Sequence, residues 1–189
     1  MPSKKQNRTE NAISMLKSDH RKVKELFAKF EDTENLKVKQ EVVRDALMEL
    51  KIHATIEEEL FYPALRQQMD DEEGLMDEAD EEHHVAKVLI AELEAMQGDE
   101  DHWEAKFKVL AENVRHHIKE EEGGIFPEAK KTDIDFVTLG GSMSESKSKL
   151  IRDGVPPDAE AKMIGKSGLR GDSPAKKAQQ KIQVPLKAA

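Results

Sequence analysis

Two stretches of the chain each place a histidine and a glutamate four residues apart. They are His53-x3-Glu57 and His117-x3-Glu121, and in both an aromatic residue and a proline follow. Residues four apart on an α-helix lie on one face, with Cβ atoms roughly 5–6 Å apart. Each stretch can therefore bind a metal ion through an imidazole and a carboxylate from one helix. Two such helices facing each other predict a dinuclear metal site inside a helical bundle.

Two further histidines lie on apolar stripes of predicted helices. His20 is the polar residue on the stripe of a first helix over about residues 9–31, and His83 holds that place in a third helix over about 75–97. Both stripes alternate steps of three and four residues, which is typical of amphipathic helices. His84 lies about 100° round the third helix and is the alternative to His83. The candidate metal ligands are therefore His20, His53, Glu57, His83, His117 and Glu121.

The remaining pattern predicts four helices around one core. A second helix spans about residues 36–68 and a fourth about 100–130, with short polar turns between neighbouring helices. Pro63 is expected to bend or weaken the second helix, and Asp99 is expected to cap the fourth. The predicted fold is an all-α, up-down-up-down antiparallel four-helix bundle over residues 9–131.

The stretch over residues 132–189 has no sustained apolar period and is rich in Gly, Pro and Lys. It is predicted to be a mostly disordered tail, with a short helix around residues 158–164 as the exception. The tail has ten Lys or Arg against seven Asp or Glu, whereas the whole chain carries a net charge of −9. An acidic body argues against nucleic-acid binding by the bundle, and nothing in the pattern specifies a partner for the tail.

Composition excludes several kinds of chemistry. The chain has no cysteine, so disulfides, thiolate metal sites and thiol nucleophiles are absent. No apolar run reaches the length of a membrane span, and the first ten residues are polar, which predicts a cytoplasmic protein. Aromatic residues make up 4% and charged residues 37% of the chain. That composition suits solvated amphipathic helices better than sheets.

The alternative to metal binding is that these histidines and glutamates have a purely structural role in the core. A single core histidine is commonly only hydrogen-bonded, but an unpaired buried carboxylate costs several kcal/mol. Buried His–Glu ion pairs seldom repay their desolvation. Two such pairs and two more histidines, on four helices, favour a pair of divalent cations. Nitrogen and oxygen ligands suit iron, with manganese or zinc as alternatives.

These motifs together resemble the hemerythrin HHE cation-binding family over about residues 9–131. The motifs that carry the resemblance are Asp19-His20-Arg21, His53-x3-Glu57-Glu58, Glu82-His83 and His117-x3-Glu121-Glu122. The resemblance implies a four-helix bundle that holds an oxo- or hydroxo-bridged di-iron centre. It also implies reversible binding of dioxygen, or the sensing and handling of oxygen, iron, peroxide or nitric oxide.

The chain departs from the oxygen-carrying members of that family. Those members have His-x3-His on the third helix and His-x4-Asp on the fourth, whereas here Lys87 stands four residues after His83 and the fourth helix offers His-x3-Glu. The carboxylate-rich set argues against simple oxygen transport. The expected function is a di-iron protein that binds or senses dioxygen, peroxide or nitric oxide. The alternatives are a peroxide-consuming or oxidase enzyme, and an iron- or oxygen-responsive regulator that signals through its tail.

Other ionisable residues near the motifs have open roles. Glu58 and Glu122 directly follow the candidate ligands and either support the metal site from outside or are solvated. Tyr62 is the only tyrosine and is a candidate phenolate ligand or hydrogen-bond donor. His116 lies off the apolar stripe that carries its neighbour, and His102 is expected at the surface.

Overall fold

The computed structural model describes residues 11–69 and 74–167, and within these ranges every regular element is a helix. Helices α1 (Ala12–Glu31) and α2 (Leu36–Ile56) pack against each other, as do α4 (Leu75–Glu94) and α5 (Trp103–Glu120). Contacts between α2 and α4 and between α1 and α5 close the ring. The predicted antiparallel four-helix bundle is confirmed. No helix in the described ranges is long and apolar enough to cross a membrane.

Both motif-bearing helices continue past their glutamate through a π-helical turn. The first turn is Glu57–Phe61, followed by α3 (Tyr62–Arg66), and the second is Glu121–Ile125, followed by α6 (Phe126–Ala129). In each turn the backbone N–H that closes the turn donates to the glutamate carbonyl five residues back. A π turn inserts one residue into the helix and shifts the register of the backbone hydrogen bonds. The weakening expected from Pro63 therefore takes the form of a local change in register, and the helix continues to Arg66.

Side-chain caps fix where the helices begin. Asn35 Oδ1 accepts the backbone N–H groups of Lys37 and Val38 at 3.0 and 3.2 Å, which starts α2. The predicted cap of α5 by Asp99 is wrong. His102 occupies the N-cap position of that helix with a left-handed φ of 71°.

The bundle core has two apolar clusters on either side of the polar motif residues. At one end, Phe27 and Phe30 both pack against Phe107, with ring centroids 5.7 and 4.6 Å apart. At the other end, Phe61 meets Phe126 edge to face at 5.7 Å. The polar residues between the clusters are therefore held by well-packed helices on both sides.

Part of the predicted disordered tail is folded. Helix α7 (Phe136–Asp153) packs against α1 and α2 and buries Met143 and Leu150. Asp135 caps it by accepting the backbone N–H groups of Val137 and Thr138. The prediction of disorder is wrong for this segment, because its few apolar residues recur on one face and meet the bundle.

Helix α8 (Ala159–Ser167) covers the short helix expected around residues 158–164 and packs against α4. The remainder of the predicted tail, residues 168–189, lies outside the described residues.

Candidate metal centre

The bundle brings all six candidate ligands together at its centre. The histidines come from four different helices, α1, α2, α4 and α5, and each glutamate is the first residue of a π turn. Glu57 and Glu121 are completely buried, with 0% of their surface exposed. The six residues brought together are His20, His53, Glu57, His83, His117 and Glu121.

The structure decides between neighbouring histidines. His83 is buried in the site, whereas His84 is exposed and its Nδ1 lies 2.7 Å from Glu160 Oε1 on α8. On α5, His117 lies in the site and His116 points outward towards Glu120. The apolar stripe correctly predicted which histidine of each neighbouring pair is buried in the cluster, and its role as a metal ligand stays a prediction.

The four imidazoles form two pairs. His20 Nε2 lies 3.2 Å from His53 Nε2, and His83 Nε2 lies 3.2 Å from His117 Nε2. We call the first pair, with its surroundings, the α1/α2 half of the site, and the second pair the α4/α5 half. Each half therefore presents two inward-facing ring nitrogens from adjacent helices.

Both glutamates span the two halves. Glu57 places Oε1 at 3.1 Å from His53 Nε2 and Oε2 at 3.5 Å from His83 Nε2. Glu121 uses one oxygen for both halves, with Oε2 at 3.1 Å from His20 Nε2 and 3.6 Å from His117 Nε2. A carboxylate that reaches both pairs is placed to bridge two cations.

The outer ring nitrogens face carboxylates from neighbouring helices. Three of these pairs are hydrogen-bonded and the fourth is longer. They are His20 Nδ1 with Glu122 Oε1 at 2.9 Å, His83 Nδ1 with Glu58 Oε1 at 2.9 Å, His117 Nδ1 with Glu82 Oε2 at 2.8 Å and His53 Nδ1 with Asp19 Oδ2 at 3.7 Å. A carboxylate that accepts Nδ1–H leaves the lone pair on Nε2, which is the arrangement of metal-bound histidines.

Glu58 and Glu122 thus support the histidines and are not merely solvated. The sequence reasoning missed Asp19 and Glu82 in the same role. A signal was present, because each directly precedes a candidate ligand, in Asp19-His20 and Glu82-His83.

The donor atoms fit a pair of bound cations. In the α4/α5 half, two neutral rings that donate from Nδ1 would bring two Nε2 lone pairs together at 3.2 Å, and only a proton or a metal between them relieves this contact. Neither oxygen of Glu57 finds a hydrogen-bond partner among the described residues. Metal–nitrogen bonds of about 2.0–2.1 Å reach both atoms of each pair. The ligand atoms form two compact groups, and Glu57 belongs to both.

Protons fill this role when the site holds no metal. Burial lowers the pKa of His53, but Glu57, Asp19 and Glu121 together outweigh it and raise that pKa to about 10. Burial also opposes charge on His83, yet the nearby carboxylates of Glu57 and Glu58 raise its pKa to about 9. Burial raises the pKa of Glu57, but His53 and His83 together overcome this and hold that pKa well below its usual range. A metal must therefore displace protons from this site.

Tyr62 acts as a hydrogen-bond donor in the structure. Its buried hydroxyl donates to Glu121 Oε1 at 2.9 Å. Burial and the charge of Glu57 raise the pKa of Tyr62 well above its ordinary value. The phenol therefore holds the carboxylate of Glu121 in place.

A cavity of about 250 Å³ opens onto the site. All four histidines reach its wall, which is otherwise largely apolar. Lys87 and Glu58 form an ion pair on this wall, with Nζ and Oε2 2.5 Å apart. Residues 155–158, which connect α7 to α8, line the cavity as well. The centre is thus buried yet reachable by a small molecule.

Comparison with protein families identifies the class of this bundle. A model of the hemerythrin HHE cation binding domain matches residues 11–129. The chain belongs to this family. The His/Glu cluster described above lies within the matched range, so the fold and the site together define a metal cation-binding domain.

Two known proteins are similar to the chain. A solved structure, a hemerythrin HHE cation binding domain-containing protein from Mycobacterium kansasii (an Rv2633c homolog), superposes with a TM-score of 0.63 and 24% identity, over 86% of this chain and 95% of that one. This likeness shows the fold. A DNA nickase of Nostoc sp. (strain PCC 7120 / SAG 25.82 / UTEX 2576) is 28% identical over 116 residues, which are 61% of this chain and 32% of that protein. The chain therefore spans about a third of the length of this curated relative.

Proposed function

We propose that the chain is a non-haem di-iron protein that binds dioxygen, peroxide or nitric oxide between its two histidine pairs. The observation that supports this most is the pair of ligand groups that share Glu57 and border one cavity. Two cations held side by side, with a cavity at their edge, suit a small ligand that contacts both.

The donor set favours iron over other metals. Imidazole nitrogens and carboxylate oxygens without sulfur suit iron, manganese or zinc, and the chain has no cysteine. The carboxylates of Glu57 and Glu121 would stabilise oxidised iron by their negative charge. When bound, iron supplies exchange of electrons with an oxygen-derived ligand, which zinc does not.

The protein residues have distinct roles in this proposal. The carboxylates on the Nδ1 atoms orient the rings and make the ligand nitrogens more basic. Tyr62 fixes Glu121 by its hydrogen bond. The cavity volume of about 250 Å³ favours small ligands over a large organic substrate.

A second candidate function is the consumption of peroxide or an oxidase activity. The observation that favours it is the ion pair of Lys87 with Glu58 on the cavity wall. A polar pair beside the centre gives an entering ligand hydrogen-bonding partners, which turnover of peroxide requires and simple storage of dioxygen does not.

Anaerobic loading with ferrous iron, followed by oxidation, tests the proposal. We expect about two iron ions per chain and the absorption bands of an oxo-bridged ferric pair. His53→Ala should lose iron, while His84→Ala, on the exposed neighbour of His83, should retain it. A wild-type chain that folds and takes up no iron would refute the proposal.

Adding hydrogen peroxide to the loaded protein separates the two candidate functions. Continued release of dioxygen, followed with an oxygen electrode, indicates an enzyme. A single stoichiometric change in the spectrum indicates binding alone. Nitric oxide added to the reduced protein tests the remaining ligand in the same way.

The Nostoc relative is named for an action on DNA, but we propose that this bundle does not bind nucleic acid. The chain carries a net charge of −9, and phosphate backbones are bound by clustered Lys and Arg. The matched region also covers only 32% of that relative.

A further inference from the structure

One of the four histidines differs from the others in its outer contact. His20, His83 and His117 each hold a carboxylate at 2.8 to 2.9 Å from Nδ1. His53 Nδ1 lies 3.7 Å from Asp19 Oδ2, which is beyond hydrogen-bond range. Both of these atoms are buried and lack a hydrogen-bond partner in the part of the chain that the structure describes.

The other oxygen of Asp19 has a partner outside the family domain. Lys147 Nζ binds Asp19 Oδ1 in a partly buried ion pair. Lys147 belongs to α7, which follows the family-matched residues 11–129. Asp19 is only 7% exposed, so removing the charge of Lys147 would leave a buried carboxylate without this counter-charge.

The segment that carries Lys147 also reaches the site elsewhere. Residues 155–158 line the cavity, and Glu160 on α8 pairs with His84 at 2.7 Å, next to His83. Helix α7 itself packs against α1 and α2, which carry the pair His20 and His53. The segment therefore contacts the bundle beside the site at several points. These contacts fix the position of Lys147 along α7 next to Asp19.

We propose that Lys147 is a positioning residue for the metal centre. By binding one oxygen of Asp19 it holds the other oxygen opposite His53 Nδ1, and it thereby orients the His53 ring for metal binding. Through Lys147, the segment after the family domain thus contributes to the α1/α2 half of the site. This inference rests on the proposed binding of two metal ions.

Metal release from the full chain tests the inference. Protein loaded with ferrous iron and kept anaerobic is mixed with a ferrous chelator, and iron release, with one phase expected from each half of the site, is followed by absorbance. Outer partners of metal-bound histidines typically change affinity by about 10–100-fold. We expect Lys147→Met to accelerate one phase by about tenfold, at the lower end of that range, and to leave the other phase unchanged. Lys147→Arg keeps the positive charge and should therefore release iron as slowly as the wild type.

Two further variants separate positioning from simple packing. Lys149→Met lies two residues along α7 at an exposed position and should release iron like the wild type. Asp19→Asn should accelerate the same phase, and the double variant Asp19→Asn/Lys147→Met should release iron no faster than Asp19→Asn alone. A merely structural effect of Lys147 would instead multiply with that of Asp19.

Each result of these release measurements either supports or overturns the inference. Release from Lys147→Met that matches or is slower than wild type, or multiplied effects in the double variant, would overturn the inference. If Lys147→Met does not fold, Lys147→Gln is measured in its place and judged by the same criteria. A wild-type chain that binds no iron would refute the proposed function itself. A chain that binds two irons, and whose release rate does not change when Lys147 is replaced, would refute the inference alone.

Discussion

The two halves of the metal centre follow the same plan but have different surroundings. In each half the residue before one histidine faces the Nδ1 atom of the other histidine, as Glu82 does for His117. The residue after each bridging glutamate crosses to the opposite half, as Glu58 does to His83. This exchange relates the halves by an approximate two-fold pattern that the repeated His-x3-Glu-Glu motif produces.

The differences lie outside the ligands. In the α4/α5 half the outer carboxylate belongs to Glu82, whose longer side chain lies 2.8 Å from His117 Nδ1. In the α1/α2 half it belongs to Asp19, whose shorter side chain lies 3.7 Å from His53 Nδ1 and forms an ion pair with Lys147. The aromatic residues before the two prolines differ as well. Tyr62 donates to Glu121, whereas Phe126 has no hydroxyl and stacks on His20 at 5.8 Å. The repeat builds the ligands, and the non-repeated residues make the halves unequal.

Removing the charge of Glu57 should have the largest effect, because this residue serves both halves. We expect Glu57→Gln to bind less than one iron per chain, with a loss of affinity greater than the roughly 10–100-fold that outer partners contribute. Iron analysis after gel filtration measures the number of iron ions bound per chain. Glu41→Gln, exposed on the same helix α2, is the matched control and should retain two irons. Loss of one iron only, from one half, would contradict the bridging role.

The pH should act on both halves through the protons that the metal displaces. In the metal-free chain the pKa values of His53 and His83 are raised to about 10 and 9 from an ordinary value of 6.5. Raised values mean that these protons stabilise the fold fully below pH 6.5 and progressively less as the pH rises through 9 and 10. We therefore expect the Tm of the metal-free chain to fall between pH 7 and 9.

The iron-loaded chain should lack this fall over the same interval, because iron needs unprotonated rings and its native state then has no such protons to lose. Thermal unfolding of both forms at each pH compares them directly. Parallel slopes for the two forms would argue that these histidines do not exchange protons for metal.

The smallest effect is expected from making the two aromatic positions alike. Tyr62→Phe gives the first repeat the residue that Phe126 provides in the second, and it removes the hydrogen bond to Glu121. Because a hydrogen bond to a charged group contributes about 1.5–3 kcal/mol, the free energy of unfolding of the metal-free chain should fall by about that amount. The iron content should stay at two. Denaturant unfolding measures the first quantity, and an unchanged midpoint would show that Glu121 is held by other contacts.

Much of this architecture can be predicted from the sequence, because few polar residues interrupt the apolar stripes of the helices. Each bundle helix has a clean apolar stripe, and His20, His83 and His117 interrupt those stripes at helical spacing. The same rule separates His83 from His84. Carboxylates on buried stripes are costly unless they are paired, which is why Glu57 and Glu121 were predictable.

The rest depends on contacts that no local pattern contains. Pro63 predicted a weak point in the second helix, but the π turn depends on which carbonyl the following N–H groups select. Helix α7 buries Gly140, Met143 and Leu150, and these are too sparse to give a strong periodic signal among Ser and Lys. Lys147 acquires its role only when that helix packs against α1 and meets Asp19.

The most direct test of the central claim is a crystal structure of the iron-loaded chain with anomalous diffraction at the iron absorption edge. The account predicts two iron peaks, one bound by the Nε2 atoms of His20 and His53 and one by those of His83 and His117, with Glu57 between them. A single peak, or two peaks outside these pairs, would contradict the account.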